Sequence, residues 1–105
     1  MLGEFEQLVL LATLRGGSDA YGVTIRRAIV DRTGRDVSLA AVYKTLTRLE
    51  DKGFVVARVG EPTPERGGRR KRYYALTAPG QRALRQSVEV LRRMTRGLDL
   101  GLESR

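Results

Sequence analysis

The first half of the chain alternates apolar and polar residues with the three- and four-residue spacing of amphipathic helices. A first helix is predicted from Glu4 to Leu14, and its later part is apolar almost all round, which predicts burial on more than one side. A second helix is predicted from about Ala20 to Arg32, with Ser18 or Asp19 as its N-cap. Gly34 is placed to end it. The predicted buried stripe of this second helix is Tyr21, Ile25 and Ile29.

The third predicted helix has two distinct faces. It begins at Ser38, a favourable N-cap residue, and ends before Gly53. One face is apolar: Leu39, Val42, Leu46 and Leu49. The other is small at its start and cationic further on: Ala40, Ala41, Lys44, Thr45 and Arg48. Small residues let a helix backbone approach its target closely, so this face is typical of a helix that enters a DNA major groove. The alternative is that Lys44 and Arg48 are solvated charges, with Arg48 paired to Asp51.

A β-hairpin is predicted after the third helix. Its strands are Phe54 to Val59 and Arg72 to Leu76, and its long tip, Gly60 to Lys71, is predicted to be a mobile basic loop. Pro62 and Pro64 are expected to keep the tip from pairing as strand. A run of four cations, residues 69–72, repels itself and needs either solvent or a polyanion.

The last predicted helix starts near Thr77-Ala78-Pro79, with Thr77 as its cap. Its apolar residues are Leu84, Val88, Leu91, Met94 and Leu98. A terminal helix with little chain left to cover it is more often an oligomer seam than part of its own core. The predicted dimer interface combines both ends of the chain: Leu10, Leu11, Leu14, Leu84, Val88, Leu91 and Met94. The tail from Asp99 to Arg105 is expected to fray.

Composition narrows the classes of function. The chain has 105 residues, 20 Lys and Arg against 12 Asp and Glu, and a formal net charge of +8. This balance favours nucleic acid as a partner, with an anionic membrane surface as the alternative. Cys and His are absent, which excludes zinc fingers, thiol nucleophiles and imidazole catalysis. We therefore predict no catalytic residues, no metal ligands, no cofactor and no enzyme. Because no apolar run matches a membrane span and the start lacks signal-peptide features, a cytoplasmic protein is expected.

The order of helix, helix, helix, hairpin and helix predicts a mainly α fold with a β-hairpin. Such an order is that of a winged helix-turn-helix, in which the third helix is the recognition helix and the hairpin tip is the wing. Residues 1–77 would form this DNA-binding domain. Residues 78–105 would add the C-terminal dimerisation helix and the frayed tail, within one structural unit.

Three stretches closely resemble the PadR family of bacterial transcriptional regulators. They are AYG at 20–22, AVYKTLTRLEDKG at 41–53 and GGRRKRYYALT at 67–77, followed by Gly80. The resemblance implies a homodimeric repressor that binds inverted-repeat, double-stranded operator DNA near its own or a neighbouring operon, such as transporter or detoxification genes. It also allows a small-molecule effector, which the sequence does not identify. Some members bind flat drugs between tryptophans, but this chain has no Trp, so that ligand mode is not expected.

The residues expected to contact DNA fall into two groups. On the recognition helix they are Ser38, Ala40, Ala41, Tyr43, Lys44, Thr45 and Arg48. On the wing they are Arg66, Gly67, Gly68, Arg69, Arg70, Lys71 and Arg72. Two interpretations of Tyr43 stay open: its ring packs on the hairpin, or its hydroxyl contacts a phosphate. An RNA- or ribosome-associated basic domain is the second functional candidate, and it would need Tyr73 and Tyr74 as an exposed stacking platform.

Overall fold

The structure, a computed structural model, describes residues 2–62 and 70–102 and confirms the predicted fold class. It is mainly helical with a two-stranded antiparallel hairpin. The elements in chain order are α1 (Glu4–Gly16), a short 3₁₀ helix (Gly17–Asp19), α2 (Gly22–Thr33), α3 (Leu39–Asp51), β1 (Val55–Pro62), β2 (Arg70–Leu76) and α4 (Ala78–Thr95). Within these described residues no helix has the length and apolar character needed to cross a membrane.

The hydrophobic core lies between the three N-terminal helices and is closed by the hairpin and the start of α4. Its larger members come from all four α-helices and both strands: Val9, Leu10, Ile25, Ile29, Val42, Leu46, Leu49, Val55, Tyr74 and Leu84. The apolar stripe predicted for α3 is buried at Val42, Leu46 and Leu49, whereas Leu39, in the first position of the helix, is 36% exposed. Tyr21 is only half-buried, so the predicted stripe of α2 holds at Ile25 and Ile29 alone.

Local capping chemistry sets most of the helix ends as predicted. The Ser38 hydroxyl accepts a hydrogen bond from the Ala41 N–H at 3.0 Å, and Thr77 does the same for Gly80 at 3.1 Å. Gly34 adopts a left-handed φ of 70° directly after α2, where a side chain would be strained.

The predicted cap of α2 is wrong. Ser18 and Asp19 belong to the short 3₁₀ helix, and Tyr21 occupies the N-cap position instead. A tyrosine side chain cannot satisfy the free amides there, and the Thr24 hydroxyl accepts the Tyr21 N–H at 3.0 Å. The same hydroxyl donates to the Asp19 carbonyl at 2.6 Å, which ties the turn to the helix.

The hairpin strands run further than the sequence indicates. Val55 pairs with Leu76 and Val59 with Arg72, after which the register shifts and Pro62 pairs with Arg70. The prediction that Pro62 blocks pairing is therefore wrong. A proline lacks an N–H but is tolerated at a bulge or on an edge strand, and both strands of a two-stranded sheet are edges. Five tip residues singled out in the sequence lie outside the described residues: Pro64, Arg66, Gly67, Gly68 and Arg69.

A partly buried ion pair ties the start of α1 to the end of α3. The Glu6 carboxylate, only 9% exposed, accepts hydrogen bonds from the Gly3 N–H and from Lys52 Nζ, both at 2.8 Å. Burial acts to raise the pKa of this carboxyl. The hydrogen bonds from Lys52 and Gly3, together with the charges of Lys52 and Arg48, outweigh burial and hold the pKa below its usual 4.5.

Replacing Glu6 with Gln should lower the free energy of unfolding near neutral pH by about 1–2 kcal/mol, because the charged hydrogen bond is lost while Lys52 stays partly solvated. The folded-state pKa lies below the unfolded-state value, so the carboxylate stabilises the fold above pH 4.5. That stabilisation is lost as the pH falls through the lower, folded-state pKa. Urea denaturation of both proteins at neutral and acid pH measures this. An unchanged difference in acid would show that the Glu6 charge contributes nothing.

Candidate nucleic-acid interface

The outward surface of α3 carries most of the residues predicted to contact DNA. Ala40, Lys44 and Arg48 follow one another at four-residue spacing, and all three are exposed. Ser38 and Tyr43 are exposed beside them, and Ala41 is half-buried. The surface is therefore small and open at the start of the helix and cationic towards its end, which suits close approach to a polyanion.

Thr45 does not belong to this surface. Its side chain is 4% exposed, because its helical neighbours at three and four residues, Val42 and Leu49, are both in the core. The placement of Thr45 among the DNA contacts is corrected: it faces inward.

Tyr43 packs on the start of α2. Its ring lies so close to the Gly22 backbone that a Cβ on residue 22 would overlap the ring and its hydroxyl. The side chain remains 39% exposed. The contact with Gly22 was not indicated by the sequence, and the exposed part of the side chain keeps a phosphate contact available, so both interpretations of Tyr43 stay predictions.

The described base of the wing presents cations in three different settings. Arg70 is exposed at the start of β2. Lys71 Nζ lies 4.8 Å from the centroid of the Tyr21 ring. Arg72 pairs with Glu50 of α3 at 3.0 Å and lies 5.9 Å from the centroid of the Tyr74 ring. Glu50 is therefore a link between α3 and the base of the wing.

The pKa of the Tyr74 hydroxyl depends on burial and on the neighbouring Arg72. Burial raises the pKa of the Tyr74 hydroxyl, and the Arg72 guanidinium lowers it only in part. The hydroxyl thus stays protonated at physiological pH, and its ring forms part of the core.

Arg58 is a residue whose role the sequence did not reveal. Its guanidinium carbon lies 4.6 Å from the centroid of the Tyr73 ring, and Nη2 donates to the Ser18 carbonyl at 3.0 Å. The sequence showed only one more cation near the wing. Its contact with Ser18 joins residues 40 positions apart along the chain, which no local pattern indicates, whereas Tyr73 is its cross-strand partner in the hairpin.

The predicted dimer residues divide between the core and an open apolar face. Leu10 and Leu84 are buried in the chain's own core, at 0% and 5% exposure, so their placement at an interface is corrected. The other five are exposed: Leu11 at 39%, Leu14 at 52%, Val88 at 36%, Leu91 at 57% and Met94 at 72%. A groove of about 390 Å³ runs between α1 and α4 and is lined by Leu8, Leu11, Val88 and Leu91, among others. We call these exposed residues, with the groove, the α1–α4 face.

Comparison with known proteins identifies the family. A model of the "Transcriptional regulator PadR-like family" matches residues 10–86. A solved transcriptional regulator from Clostridium thermocellum is 25% identical with a TM-score of 0.70, covering 86% of this chain and 84% of that one. We found no match among curated proteins.

Two further solved structures have lower sequence identity to this chain and support the fold alone. A PadR family transcription regulator from Clostridium difficile R20291 is 22% identical with a TM-score of 0.68, covering 89% of this chain and 95% of that one. A PadR family regulator from Eggerthella lenta is 24% identical with a TM-score of 0.67, covering 97% and 88%. Since the family model spans most of the chain, including α3, both described strands and the first half of α4, this protein belongs to the PadR-like family of transcriptional regulators, which are DNA-binding regulators and not enzymes.

Proposed function

We propose that the protein is a homodimeric repressor in the cytoplasm, and that it binds an inverted-repeat operator near its own or a neighbouring operon. The observation that carries the proposal is the set of exposed cations on α3 and at the base of the wing, two elements that an ion pair joins. Lys44 and Arg48 are exposed on α3, Arg70 is exposed on β2, and Glu50 with Arg72 joins the two elements.

The two elements would divide the work of recognition. The start of α3 offers Ser38, Ala40 and Ala41, whose small side chains let the helix enter a major groove. Lys44 and Arg48 would then reach base edges and the adjacent phosphates. The wing would lie along the neighbouring backbone, where Arg70 and the tip cations Arg66 and Arg69 neutralise phosphates without reading sequence.

The α1–α4 face supports the dimer. Large exposed apolar patches on soluble proteins often mark protein–protein interfaces, and this face gathers five exposed apolar side chains on two helices. A second copy packed around a two-fold axis would cover the face on both chains and present two copies of α3 to the DNA. Arg92 and Arg93 pair with Glu89 at 3.9 and 3.7 Å, which partly offsets repulsion among the cations along α4.

The structure weighs against the RNA alternative. Stacking of single-stranded bases needs open aromatic faces on the sheet. Tyr74 is buried in the core, and the Tyr73 ring contacts both Tyr21 and Arg58. The two tyrosines that would form the platform are therefore already engaged, and duplex DNA is the better fit.

The protein should bind a duplex containing an inverted repeat with a strong dependence on salt. Each phosphate neutralised contributes about −0.9 to the slope of log K against log salt, and the half-sites should lie about one helical turn apart. Mobility-shift titration with the DNA upstream of the protein's own gene measures both. The controls are a scrambled duplex of equal composition and single-stranded RNA as competitor. Salt-independent affinity, equal affinity for the scrambled duplex, or preferential competition by RNA would refute the proposal.

A further inference from the structure

Both elements that would face DNA contact the same short stretch of chain, residues 18–22, which leads from the 3₁₀ helix into the first residue of α2. We propose that this stretch is a shared seat that fixes the wing relative to the recognition helix, and that Tyr73 is the positioning residue on the wing side. This inference rests on the proposed DNA-binding function. The wing's contribution to binding would then depend on an uncharged side chain that need not touch DNA.

Backbone contacts attach the wing to the seat. The Tyr74 N–H donates to the Ala20 carbonyl at 2.8 Å, and Tyr21 and Tyr73 form an isolated antiparallel bridge. The hairpin is thereby extended by a single rung of a third strand. Arg58, on β1, donates to the Ser18 carbonyl at 3.0 Å and ties the other strand to the same stretch.

Side-chain contacts around Tyr73 fix the angle of the hairpin. Its ring meets the Tyr21 ring edge to face, with centroids 5.5 Å apart and planes at 74°. On its other side the ring lies against the β1 backbone, where a Cβ on Gly60 would come within 2.5 Å of the ring carbon Cε2. The Arg58 guanidinium and the Lys71 ammonium lie over the Tyr73 and Tyr21 rings, so the cations at the wing base are oriented by these aromatic rings.

The recognition helix contacts the seat in a similar way, through a tyrosine ring packed on a glycine. Tyr43 of α3 lies directly on Gly22, where no side chain could fit. Each DNA-facing element thus places one tyrosine ring against a glycine: Tyr43 on Gly22 within the seat, and Tyr73 on Gly60 while touching Tyr21. The seat therefore sets the distance between the helix and the base of the wing. A wing released from it would keep all its charges but lose its registration with the phosphates.

The test is the salt slope of a variant whose charge is unchanged. Tyr73→Leu removes the ring without altering any charge, yet it should flatten the slope of log K against log salt by about one to two units, the loss of one or two phosphate contacts. Arg70→Ala should flatten the slope similarly by removing a charge. In the double variant Tyr73→Leu with Arg70→Ala, the slope should change by less than the sum of the changes in the two single variants. Tyr73→Phe, which keeps the ring, should match the unmodified protein.

Two further variants separate positioning from folding. Gly60→Ala keeps every charged and aromatic side chain but displaces the Tyr73 ring, so it should flatten the slope as Tyr73→Leu does. If Tyr73→Leu does not fold, Gly60→Ala serves as the test instead. Val56→Ala, a change at an exposed position of the same strand, should leave the slope unaltered. Thermal unfolding of each variant is measured in parallel.

The outcomes distinguish this inference from the function on which it rests. If the unmodified protein shows no salt-dependent duplex binding, the proposed function itself fails. If it does, and folded Tyr73→Leu or Gly60→Ala loses affinity equally at all salt concentrations, with the slope unchanged, Tyr73 is merely structural and the shared seat is overturned.

Discussion

Replacing Leu91 and Met94 together with Glu should give monomers and abolish tight operator binding. These side chains are 57% and 72% exposed in the single chain, so nothing in its own fold requires them to be apolar. Covering a large apolar side chain contributes roughly 1.5–3 kcal/mol. A two-fold dimer covers each of these residues once on each chain, so the contribution is doubled. Four carboxylates in that seam would lose this gain and repel one another. A monomer then meets only one half-site, and the linked second contact is lost.

Sedimentation at micromolar concentration and mobility-shift titration of a full palindrome measure the two effects. Leu100→Glu is the matched control, since Leu100 is 56% exposed but lies beyond the end of α4. Circular dichroism should show unchanged helix content in both variants, because none of Leu91, Met94 and Leu100 is a core residue. A monomeric unmodified protein that still binds the palindrome tightly would contradict the dimer.

Features set by local chemistry were predictable from the sequence. Ser38 and Thr77 cap their helices with their own hydroxyls, and Gly34 and Gly53 adopt φ values of 70° and 78° at helix ends. Each of these depends on a few neighbouring residues, so a pattern of adjacent residue types indicates them. The order of elements, and hence the fold class, follows from such boundaries together with the apolar periodicities.

Features decided by packing between distant elements were not predictable in the same way. Thr45 lies at the boundary between the two faces of α3, and only the neighbours supplied by other helices decide that it is buried. Leu10 lies in a segment that is apolar all round, so the sequence cannot show which side the chain's own core covers. Tyr73 meets Tyr21 across a long stretch of chain, and this contact carries no local signal.

For the cations of the candidate site, the sequence prediction and the exposure in the structure agree. Lys44, Arg48 and Arg70 are predicted contacts, and each is exposed, the first two on α3 and the third at the base of the wing. The recognition helix and the wing should nevertheless respond differently to loss of a cation, because base edges carry sequence information and phosphates carry little.

Lys44→Ala and Arg48→Ala should each weaken operator binding, and at least one should also relax the preferred sequence. Loss of a good base contact costs roughly 1–3 kcal/mol of discrimination, about 5- to 150-fold between the correct and a substituted base pair. Arg70→Ala should instead weaken binding to all duplexes about equally and flatten the salt slope by about one unit, because one phosphate contact is lost.

Arg93→Ala is the control for loss of charge alone. Its side chain is 67% exposed on the last turn of α4, outside the surface formed by α3 and the wing. Its removal should change neither the preferred sequence nor the salt slope appreciably. The measurement is the affinity of each variant, over a range of salt, for the operator, for single-base variants of it and for a scrambled duplex. It separates loss of sequence preference from a uniform loss of affinity. If Arg70→Ala altered the preferred base while both α3 variants changed only the overall affinity, the roles assigned to the helix and the wing would be reversed.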